Sequence, residues 1–363
     1  MMKLKLLNDR LEYRRKVIVL CVYLTMLMKE VKEVDDMPKD FTSSALRVVV
    51  AGVGGGGCNT IKRLISLGIR GPELYAINTD QIHLNTIPSS AKHLLIGKSV
   101  TRGLGAGGFP ETAQKAAEAS RDVIEKEMED VDLVFLCAGM GGGTGTGASP
   151  IVAEVAKAAG AVVIGMVTYP FKLERARLGK ALEGIEKLRQ VVDTLVVIDN
   201  NKLLEFVPNL PIEKSFEVAD EIISRAIRGI SDTLLHPSLI NIDFADIRTI
   251  AQGGGVSMIA VGEGKGINKV DDTVRSTLDH RLLDVDPYGA RGVLLHLTGG
   301  PDLTLGDANE IGEKLTAECH PNAEVIWGAR MDPAFKDKVE AIAIFTGLKE
   351  GPQILQTRTE KEY

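Results

Sequence analysis

The glycine-rich segment at residues 141–147 constrains the fold of this chain more than any other stretch. It reads Gly-Gly-Gly-Thr-Gly-Thr-Gly, and it stands between an apolar run at 132–137 and a helical pattern at 151–159. The apolar run predicts a buried strand. Glycines between a strand and a helix let backbone amides approach a ligand closely, and the helix adds the positive end of its dipole. The segment therefore predicts an α/β protein with a phosphate-binding loop.

This loop differs from the Walker type of phosphate loop. The Walker pattern needs a lysine and then a hydroxyl residue after its last glycine, whereas Gly147 is followed by Ala148 and Ser149. A polyphosphate bound here must be neutralised by backbone amides, helix ends and a metal ion. This favours Mg²⁺, which prefers phosphate oxygens and water to a dedicated protein cage. We therefore expect no metal site built from side chains alone.

Strand and helix patterns alternate from residue 46 to residue 198. This alternation predicts a parallel, Rossmann-like sheet wrapped by helices, with ligands at the carboxyl ends of the strands. Two more glycine loops fall at that edge, at 52–59 after a strand at 46–51 and at 103–108 before a long helix expected at 111–129. Three loops on one rim indicate a nucleotide site.

The loop at 52–59 also supports an alternative. Gly52, Gly54 and Gly57 satisfy the dinucleotide fingerprint, and Glu73 lies at about the right distance to bind a ribose. Taken alone, this loop predicts an NAD(P)-dependent oxidoreductase. However, a dinucleotide site needs one glycine turn, whereas this chain has three.

Composition narrows the class of protein further. A chain of 363 residues with a formal charge of -6 gives no electrostatic reason to expect nucleic acid. Its four cysteines are scattered and form no C-x-x-C pair, which indicates reduced thiols in a cytosol. The six histidines are equally dispersed and predict no zinc site.

A second organising element begins at Ile212. Apolar residues keep helical spacing as far as Leu234, and Pro237 ends the pattern, so the helix is about 30 Å long at about 1.5 Å per residue. Asn241, Asp243 and Asp246 follow it; from sequence alone Asp246 could simply cap the next helix.

The rest of the chain predicts a smaller α/β domain with a mixed four-stranded sheet. Its strands are expected at 256–261, 292–297, 324–327 and 339–345, and its helices at 268–283 and 304–320.

The run at 141–147 resembles the signature of the FtsZ/tubulin superfamily of polymerising GTPases, and specifically that of the prokaryotic FtsZ family. Gly-Val-Gly-Gly-Gly-Gly at 52–57 and Asn-Ile-Asp-Phe-Ala-Asp at 241–246 match the same family, and the resemblance covers roughly residues 45–347. It implies a tubulin-like fold. We expect a GTP-binding domain at 38–211, a connecting helix at 212–237, a C-terminal domain at 238–347 and a short tail at 348–363.

The resemblance also implies GTP or GDP with Mg²⁺ as ligands. The resemblance implies that Asp220 and Asn200 read the base, and a carboxylate such as that of Asp220 can accept hydrogen bonds from both N1–H and N2–H₂ of guanine. Asn78 and Asp80 are further candidates near the phosphates and the metal ion, and the loop at 103–108 is interpreted as a lid that senses the γ-phosphate. The other expected nucleotide-binding residues are Gly55, Gly56, Gly57, Cys58, Asn59, Gly105, Ala106, Gly107, Gly108, Gly142, Gly143, Thr144, Gly145, Thr146, Glu174 and Arg177, with Arg177 preferred to Arg175 as an alignment choice.

In that family the segment at 241–246 enters the nucleotide site of the next subunit. The resemblance therefore implies that Asn241, Asp243 and Asp246 are catalytic in a neighbouring copy. Such head-to-tail contacts do not close, so they build filaments, and the implied function is GTP hydrolysis in cell division at the cytoplasmic division site. A third hypothesis is a nucleotide-binding cytoskeletal protein that polymerises without turnover.

The two ends of the chain extend beyond the resemblance. The apolar run at 17–28 is too short to span a bilayer as a helix, so we expect an N-terminal extension helix at 1–37 that docks on the body, with a peripheral anchor or partner-binding helix as alternatives. The family's C-terminal partner-binding peptide is not recognisable in 349–363. Membrane-tethering or regulatory partners at the division site are therefore left open.

Overall fold

The computed structural model describes residues 46–206, 209–236, 238–252, 256–278 and 287–348, which belong to one compact unit. The expected N-terminal helix at 1–37 and the tail from 349 to 363 lie outside the described residues.

The described residues contain ten strands that form one sheet. The strands are β1 (Val48–Val53), β2 (Glu73–Asn78), β3 (Lys92–Leu95), β4 (Leu133–Gly139), β5 (Val162–Tyr169), β6 (Thr194–Asp199), β7 (Val256–Lys265), β8 (Gly292–Gly299), β9 (Glu324–Met331) and β10 (Lys338–Thr346). Their order across the sheet is β3-β2-β1-β4-β5-β6-β7-β10-β8-β9. The first six strands are parallel, and their order reverses between β1 and β4. A reversal of this kind leaves a crevice at the carboxyl ends of the strands.

The last four strands form the mixed sheet that the sequence predicts. Strand β10 is antiparallel to both β7 and β8, whereas β9 is parallel to β8. Strand β7 also continues the parallel sheet, because Leu195 and Val196 of β6 pair with Val256 and Ser257. The predicted α/β class is confirmed, and the two sheets are continuous.

Helices cover both faces of the sheet. They are α1 (Gly54–Ser66), α2 (Gln81–Leu84), α3 (Lys98–Thr101), α4 (Pro110–Glu118), α5 (Arg121–Met128), α6 (Thr144–Ala158), α7 (Ala176–Arg189), α8 (Asn200–Phe206), α9 (Ile212–Leu235), α10 (Phe244–Gln252), α11 (Lys269–Leu278) and α12 (Leu305–Thr316). Every residue of β1 is buried, as both faces of a covered parallel strand require. One face packs against α1 and α9, and the other against α5, α6 and α7.

The prediction of one continuous helix at 111–129 is wrong. The structure divides this segment into α4 and α5, with Ser120 between them in a non-helical conformation. The Ser120 hydroxyl accepts a hydrogen bond of 2.8 Å from the backbone amide of Gly97. A serine that bonds outside its own helix offers the backbone an alternative to helical pairing, so the helix is interrupted there.

Candidate functional site

The carboxyl ends of the parallel strands open into a cavity of about 880 Å³. It lies beside the reversal between β1 and β4, where an open α/β sheet places its ligands. Fourteen of the residues expected to bind nucleotide line it, namely Gly55, Gly56, Asn59, Gly105, Ala106, Gly107, Gly142, Gly143, Thr144, Gly145, Glu174, Arg177, Asn200 and Asp220. The structure thus brings the three glycine loops together with the first half of α9.

The glycine loops at 52–59 and 141–147, the first and third in chain order, pack directly on one another. Gly54 has a φ of 73°, and a Cβ at this position would lie 2.6 Å from the amide nitrogen of Gly145. A Cβ on Gly145 would in turn lie 2.4 Å from the carbonyl oxygen of Gly139. Neither position has room for a side chain. The bare backbone of both loops is therefore required for the fold as well as for access to a ligand.

The middle loop, 103–108, is held from two sides. The Gly105 amide donates to the carbonyl oxygen of Thr79 over 3.1 Å, and Lys180 of α7 donates to the carbonyl oxygen of Gly108 over 2.7 Å. A Cβ on Gly143 would lie 2.9 Å from that of Ala106, so this loop also packs closely on the third one. Its role as a lid stays a prediction.

The carboxyl end of β2 is a polar turn at the same rim. The Asn78 side chain accepts from the amide of Thr79 over 2.8 Å, which is the Asx turn that the sequence allowed. The Asp80 carboxylate caps α2 by accepting from the amides of Ile82 and His83. Asn78 and Asp80 both line the cavity. Turn formation and a place in the site are therefore compatible here.

The part of the cavity beside Asp220 and Asn200, called the base end below, suits a nucleobase that donates hydrogen bonds. Burial raises the pKa of the Asp220 carboxyl to about 6, although the Thr60 hydroxyl, which donates to it over 2.9 Å, and the charge of Arg63 lower that pKa. Asn200 is buried, and its Oδ1 has no hydrogen-bond partner among the described residues. Both groups can accept N–H donors from a ligand. The partly exposed ring of Phe216 lines the same end.

Four predicted nucleotide ligands lie outside the cavity lining. Gly57 packs against β4, since a Cβ there would lie 2.1 Å from the carbonyl oxygen of Cys137. Cys58 is buried in the core, and the Thr146 hydroxyl accepts from the amide of Gly141 over 2.9 Å. Gly108 accepts the bond from Lys180. These residues shape the loops, and their direct contact with nucleotide stays a prediction.

Sequence reasoning missed several cavity residues. Thr60, Lys62, Arg63, His83 and Phe216 all line the cavity. The first three lie on α1 directly after a glycine loop, which was the available signal. For Phe216 the helical periodicity only placed the ring on an apolar face of α9, and it gave no sign that this face borders a ligand site.

The three predicted catalytic residues lie beyond the other end of α9. This helix has 24 residues, so at about 1.5 Å per residue it extends about 36 Å. Asn241 and Asp243 are exposed, whereas Ile242 between them is buried. Ile240 exchanges two backbone hydrogen bonds of 3.2 Å with Ala329 of β9. The loop is thus anchored by its apolar residues, and its polar side chains point outward.

The two aspartates of this loop form a reciprocal capping box. Asp243 accepts from the amide of Asp246 over 2.8 Å, and Asp246 accepts from the amide of Asp243 over 3.2 Å. The residue before the first turn of α10 is therefore Asp243, and the sequence-based alternative with Asp246 as the cap had the register wrong. The box fixes both carboxylates relative to each other.

Among the described residues, no cluster of three or more histidine, cysteine, aspartate or glutamate side chains is arranged to hold a metal ion. Within the same residues, no helix is both long enough and apolar enough to cross a bilayer.

Together, the strand order, the glycine-rich rim and the long crossing helix define a nucleotide-binding α/β protein of the tubulin type. Two family models match the chain. The model of the "Tubulin/FtsZ family, GTPase domain" matches residues 47–208, and that of the "FtsZ family, C-terminal domain" matches residues 255–349. The chain belongs to the FtsZ family.

Individual relatives agree with this assignment. Cell division protein FtsZ 2 of Methanocaldococcus jannaschii is 56% identical over 317 residues, which cover 86% of this chain and 83% of the relative. Cell division protein FtsZ 2 of Halobacterium salinarum is 50% identical over 316 residues, which cover 87% and 80%. A solved structure described as an empty FtsZ dimer from M. jannaschii superposes with a TM-score of 0.80 at 42% identity and covers 88% of this chain and 92% of that one.

The resemblance and the implied GTPase function are confirmed by these comparisons. The GTPase-domain match includes Gly52, Gly54 and Gly57, so the residues of the dinucleotide fingerprint lie within a GTPase domain. The oxidoreductase alternative is not supported.

Proposed function

We propose that this protein binds GTP in the cavity at the rim of the parallel sheet and hydrolyses it only where a second copy supplies the loop at 241–246. One observation carries the proposal. The cavity contains the groups suited to binding and is lined by the first half of α9, whereas Asp243 and Asp246 lie beyond the other end of this helix, which is about 36 Å long. Repetition of this contact from copy to copy is heterologous and produces a filament.

The phosphate end is electrically suited to a polyphosphate. The first turn of α6 begins at Thr144 in the third glycine loop, so its unpaired amides face the rim. Arg177 and Lys62 supply positive charge at the wall of the cavity. The Asp80 carboxylate fits Mg²⁺, which takes one or two carboxylates besides phosphate and water oxygens. When bound, Mg²⁺ would neutralise charge on the phosphates.

The base end would distinguish guanine from adenine. Guanine presents N1–H and N2–H₂ donors on one edge, and an ionised Asp220 accepts from both. Adenine presents an acceptor at N1, which a carboxylate would repel. Asn200 adds a second acceptor, whose buried oxygen gains a partner when the ligand binds. Phe216 lines the same end, where its ring would contact the base.

Hydrolysis needs positioning and charge rather than a covalent intermediate. Asp243 and Asp246 of the neighbouring copy would orient the attacking water, and Asn241 would help to place it. The capping box holds both carboxylates before the contact forms, which reduces the loss of conformational freedom when the copies meet. Loss of the γ-phosphate would then weaken the junction.

The first test is the dependence of turnover on protein concentration. We expect phosphate release per molecule to rise steeply above a threshold, because each site is completed by a neighbour. A specific rate that stays flat down to the monomeric range would contradict the shared site. GTP-dependent filaments without phosphate release would support the hypothesis of polymerisation without turnover.

The second test separates the charge of the loop from its capping role. Asp243→Asn and Asp246→Asn keep an oxygen that can accept the capping hydrogen bond but remove the negative charge. We expect each to reduce turnover by at least about 100-fold and to leave GTP affinity unchanged. Asp307→Asn is the matched control for Asp246→Asn, because Asp307 fills the same place in the Thr304 capping box of α12. Loss of GTP binding in the Asp246 variant would refute the split assignment.

A mixing experiment tests the shared site directly. Asp220→Ala removes base recognition but retains an intact loop, whereas Asp246→Asn retains an intact cavity. Each protein alone should be nearly inactive. Mixed, they form junctions with a working cavity from one copy and a working loop from the other, so turnover should reappear. A mixture as inactive as its components would overturn the proposal.

In the cell we propose a filament in the cytoplasm at the division site, with membrane-tethering or regulatory proteins as further partners. The self-association of a relative described as an FtsZ dimer supports the filament. A fluorescent fusion of the wild-type protein should form a band at the division site. If turnover remodels the filament, this band should disperse in the Asp246→Asn variant.

A further inference from the structure

Helices α1 and α9 are joined by two side-by-side polar contacts at the base end of the cavity. Thr60 of α1 donates to Oδ1 of Asp220 over 2.9 Å. One turn further along α1, Arg63 forms an ion pair with Glu221, the residue after Asp220. Thr60 and Asp220 both line the cavity, and Thr60 is only 3% exposed. The hydroxyl therefore has little access to solvent, and its other acceptor, the carbonyl oxygen of Gly56, is farther away at 3.4 Å.

The position of α1 makes this contact more than a helix-packing bond. This helix begins at Gly54, in the first glycine loop, and Gly57 holds it against β4 by close backbone approach. Thr60 thus connects the element expected to bind phosphates with the carboxylate expected to read the base. A carboxylate without such a bond can rotate about its last torsion, which is broad for aspartate.

We propose that Thr60 is a positioning residue for purine recognition: its hydroxyl fixes the plane of the Asp220 carboxylate so that the two oxygens meet the N1–H and N2–H₂ donors of guanine. This inference rests on the proposed function, and it adds a determinant of base selectivity. Thr60 itself does not touch the base. It acts through the orientation and the charge of Asp220.

The surroundings of Asp220 define a consequence that depends on pH. Arg63 of α1 and the Thr60 hydroxyl favour the ionised carboxylate, whereas burial and the charge of Glu217 on α9 favour the protonated form. The neutral thiol of Cys137 on β4 lies behind it. Removal of the Thr60 hydroxyl takes away one of the two groups that lower the pKa of Asp220, so this pKa rises. A larger fraction of Asp220 is then protonated near neutral pH. A protonated carboxyl carries a hydrogen where the donors of guanine need acceptors.

The experiment compares Thr60→Val, which has nearly the same shape without the hydroxyl, with Thr60→Ser, which keeps it. Binding of GDP, which is not hydrolysed, and of IDP, which lacks the N2 amino group, is measured by calorimetry between pH 5.5 and 8. We expect Thr60→Val to bind GDP about tenfold more weakly at pH 6.5 and to show a pH midpoint above that of wild type. Its preference for GDP over IDP should fall, and Thr60→Ser should behave as wild type.

The outcomes distinguish this inference from the proposed function. An unchanged pH midpoint and an unchanged GDP-to-IDP ratio in Thr60→Val would overturn the positioning role, even if both affinities fell together. A wild-type protein that does not bind GDP would refute the proposed function instead. If Thr60→Val fails to fold, Thr60→Ala removes the same hydroxyl with a better helix former and is judged by the same two readouts.

Discussion

Thr233 of the central helix α9 and His296 of β8 are joined by a buried hydrogen bond of 2.7 Å between Oγ1 and Nδ1. The Thr233 hydroxyl also lies 2.7 Å from the carbonyl oxygen of Gly229, to which it donates, so it accepts from a protonated Nδ1. The Thr298 hydroxyl lies 3.0 Å from the other ring nitrogen. With a neutral imidazole that carries its proton on Nδ1, the Thr233 hydroxyl, the Thr298 hydroxyl and the Gly229 carbonyl oxygen all have a hydrogen-bond partner. The far half of α9 is thus fixed to the C-terminal sheet by an uncharged histidine.

This histidine predicts a loss of stability in acid. Burial lowers the pKa of His296 from 6.5 to about 4, with a further contribution from Arg330. The unfolded chain therefore takes up a proton at a higher pH than the folded chain. Its contribution to the free energy of unfolding is complete above pH 6.5 and decreases as the pH falls towards 4, by on the order of 3 kcal/mol. Urea unfolding at several pH values measures this slope.

The control for that slope is His296→Gln, which can still bond to both threonines but does not titrate. The variant should be less stable than wild type at pH 7.5, and the difference should shrink between pH 6.5 and 4. A difference that stays constant across this range would show that His296 does not set the acid sensitivity.

Two glycines of the same loop should respond differently to alanine. A Cβ on Gly145 would lie 2.4 Å from the carbonyl oxygen of Gly139, whereas a Cβ on Gly142 would meet no atom within 4 Å. We expect Gly145→Ala to lower the free energy of unfolding by about 1–3 kcal/mol, since overpacking displaces backbone. Gly142→Ala should fold normally and weaken only GDP binding, because its methyl group lies on the wall of the cavity. Equal stability of the two variants would contradict this explanation.

The parts of the fold that sequence could predict are those with a strong local period. The alternation from 46 to 198 predicted the parallel sheet, and the apolar spacing from Ile212 predicted α9, which the structure places at Ile212–Leu235. The break at Ser120 could not be predicted, because it depends on a partner, Gly97, that is distant along the chain. The junction of β6 with β7 rests on two residue pairs, too few for a sequence pattern.

The candidate site also has parts that the sequence could predict and parts that it could not. Glycine loops are visible in sequence, since backbone that must approach a ligand or another loop excludes side chains. The partner of Asp220 is not visible, because Thr60 lies 160 positions away, and only the packing of α1 on α9 brings the two together. Phe216 has a helical apolar position that is typical of core residues, and only its exposure in the folded chain shows that it borders the cavity.

Replacement of Asp220 by asparagine should change the preferred base. The amide of Asp220→Asn accepts one hydrogen bond and donates one, which suits the N1–H donor and the C2 carbonyl of xanthine. We expect GTP affinity to fall by about 100-fold and XTP to bind more tightly than GTP, because the pairing of donors and acceptors is reversed at one position. Competition between the two nucleotides measures this. An Asn variant that still prefers GTP would exclude Asp220 as the residue that reads the base.

The choice between Arg175 and Arg177 as a phosphate or ribose ligand can be tested with a matched pair. Arg177 lines the cavity and donates to Glu174 over 2.6 Å, whereas Arg175 is absent from the cavity lining described for these residues and has a φ of 25° at the start of α7. Both Arg→Gln changes remove one charge from the same turn. We expect Arg177→Gln to weaken GDP binding by about tenfold at low salt, with a smaller loss at high salt because an exposed guanidinium is screened. Arg175→Gln should bind GDP as wild type does, and equal losses in both variants would mean that net charge near the rim, rather than contact by Arg177, determines the affinity.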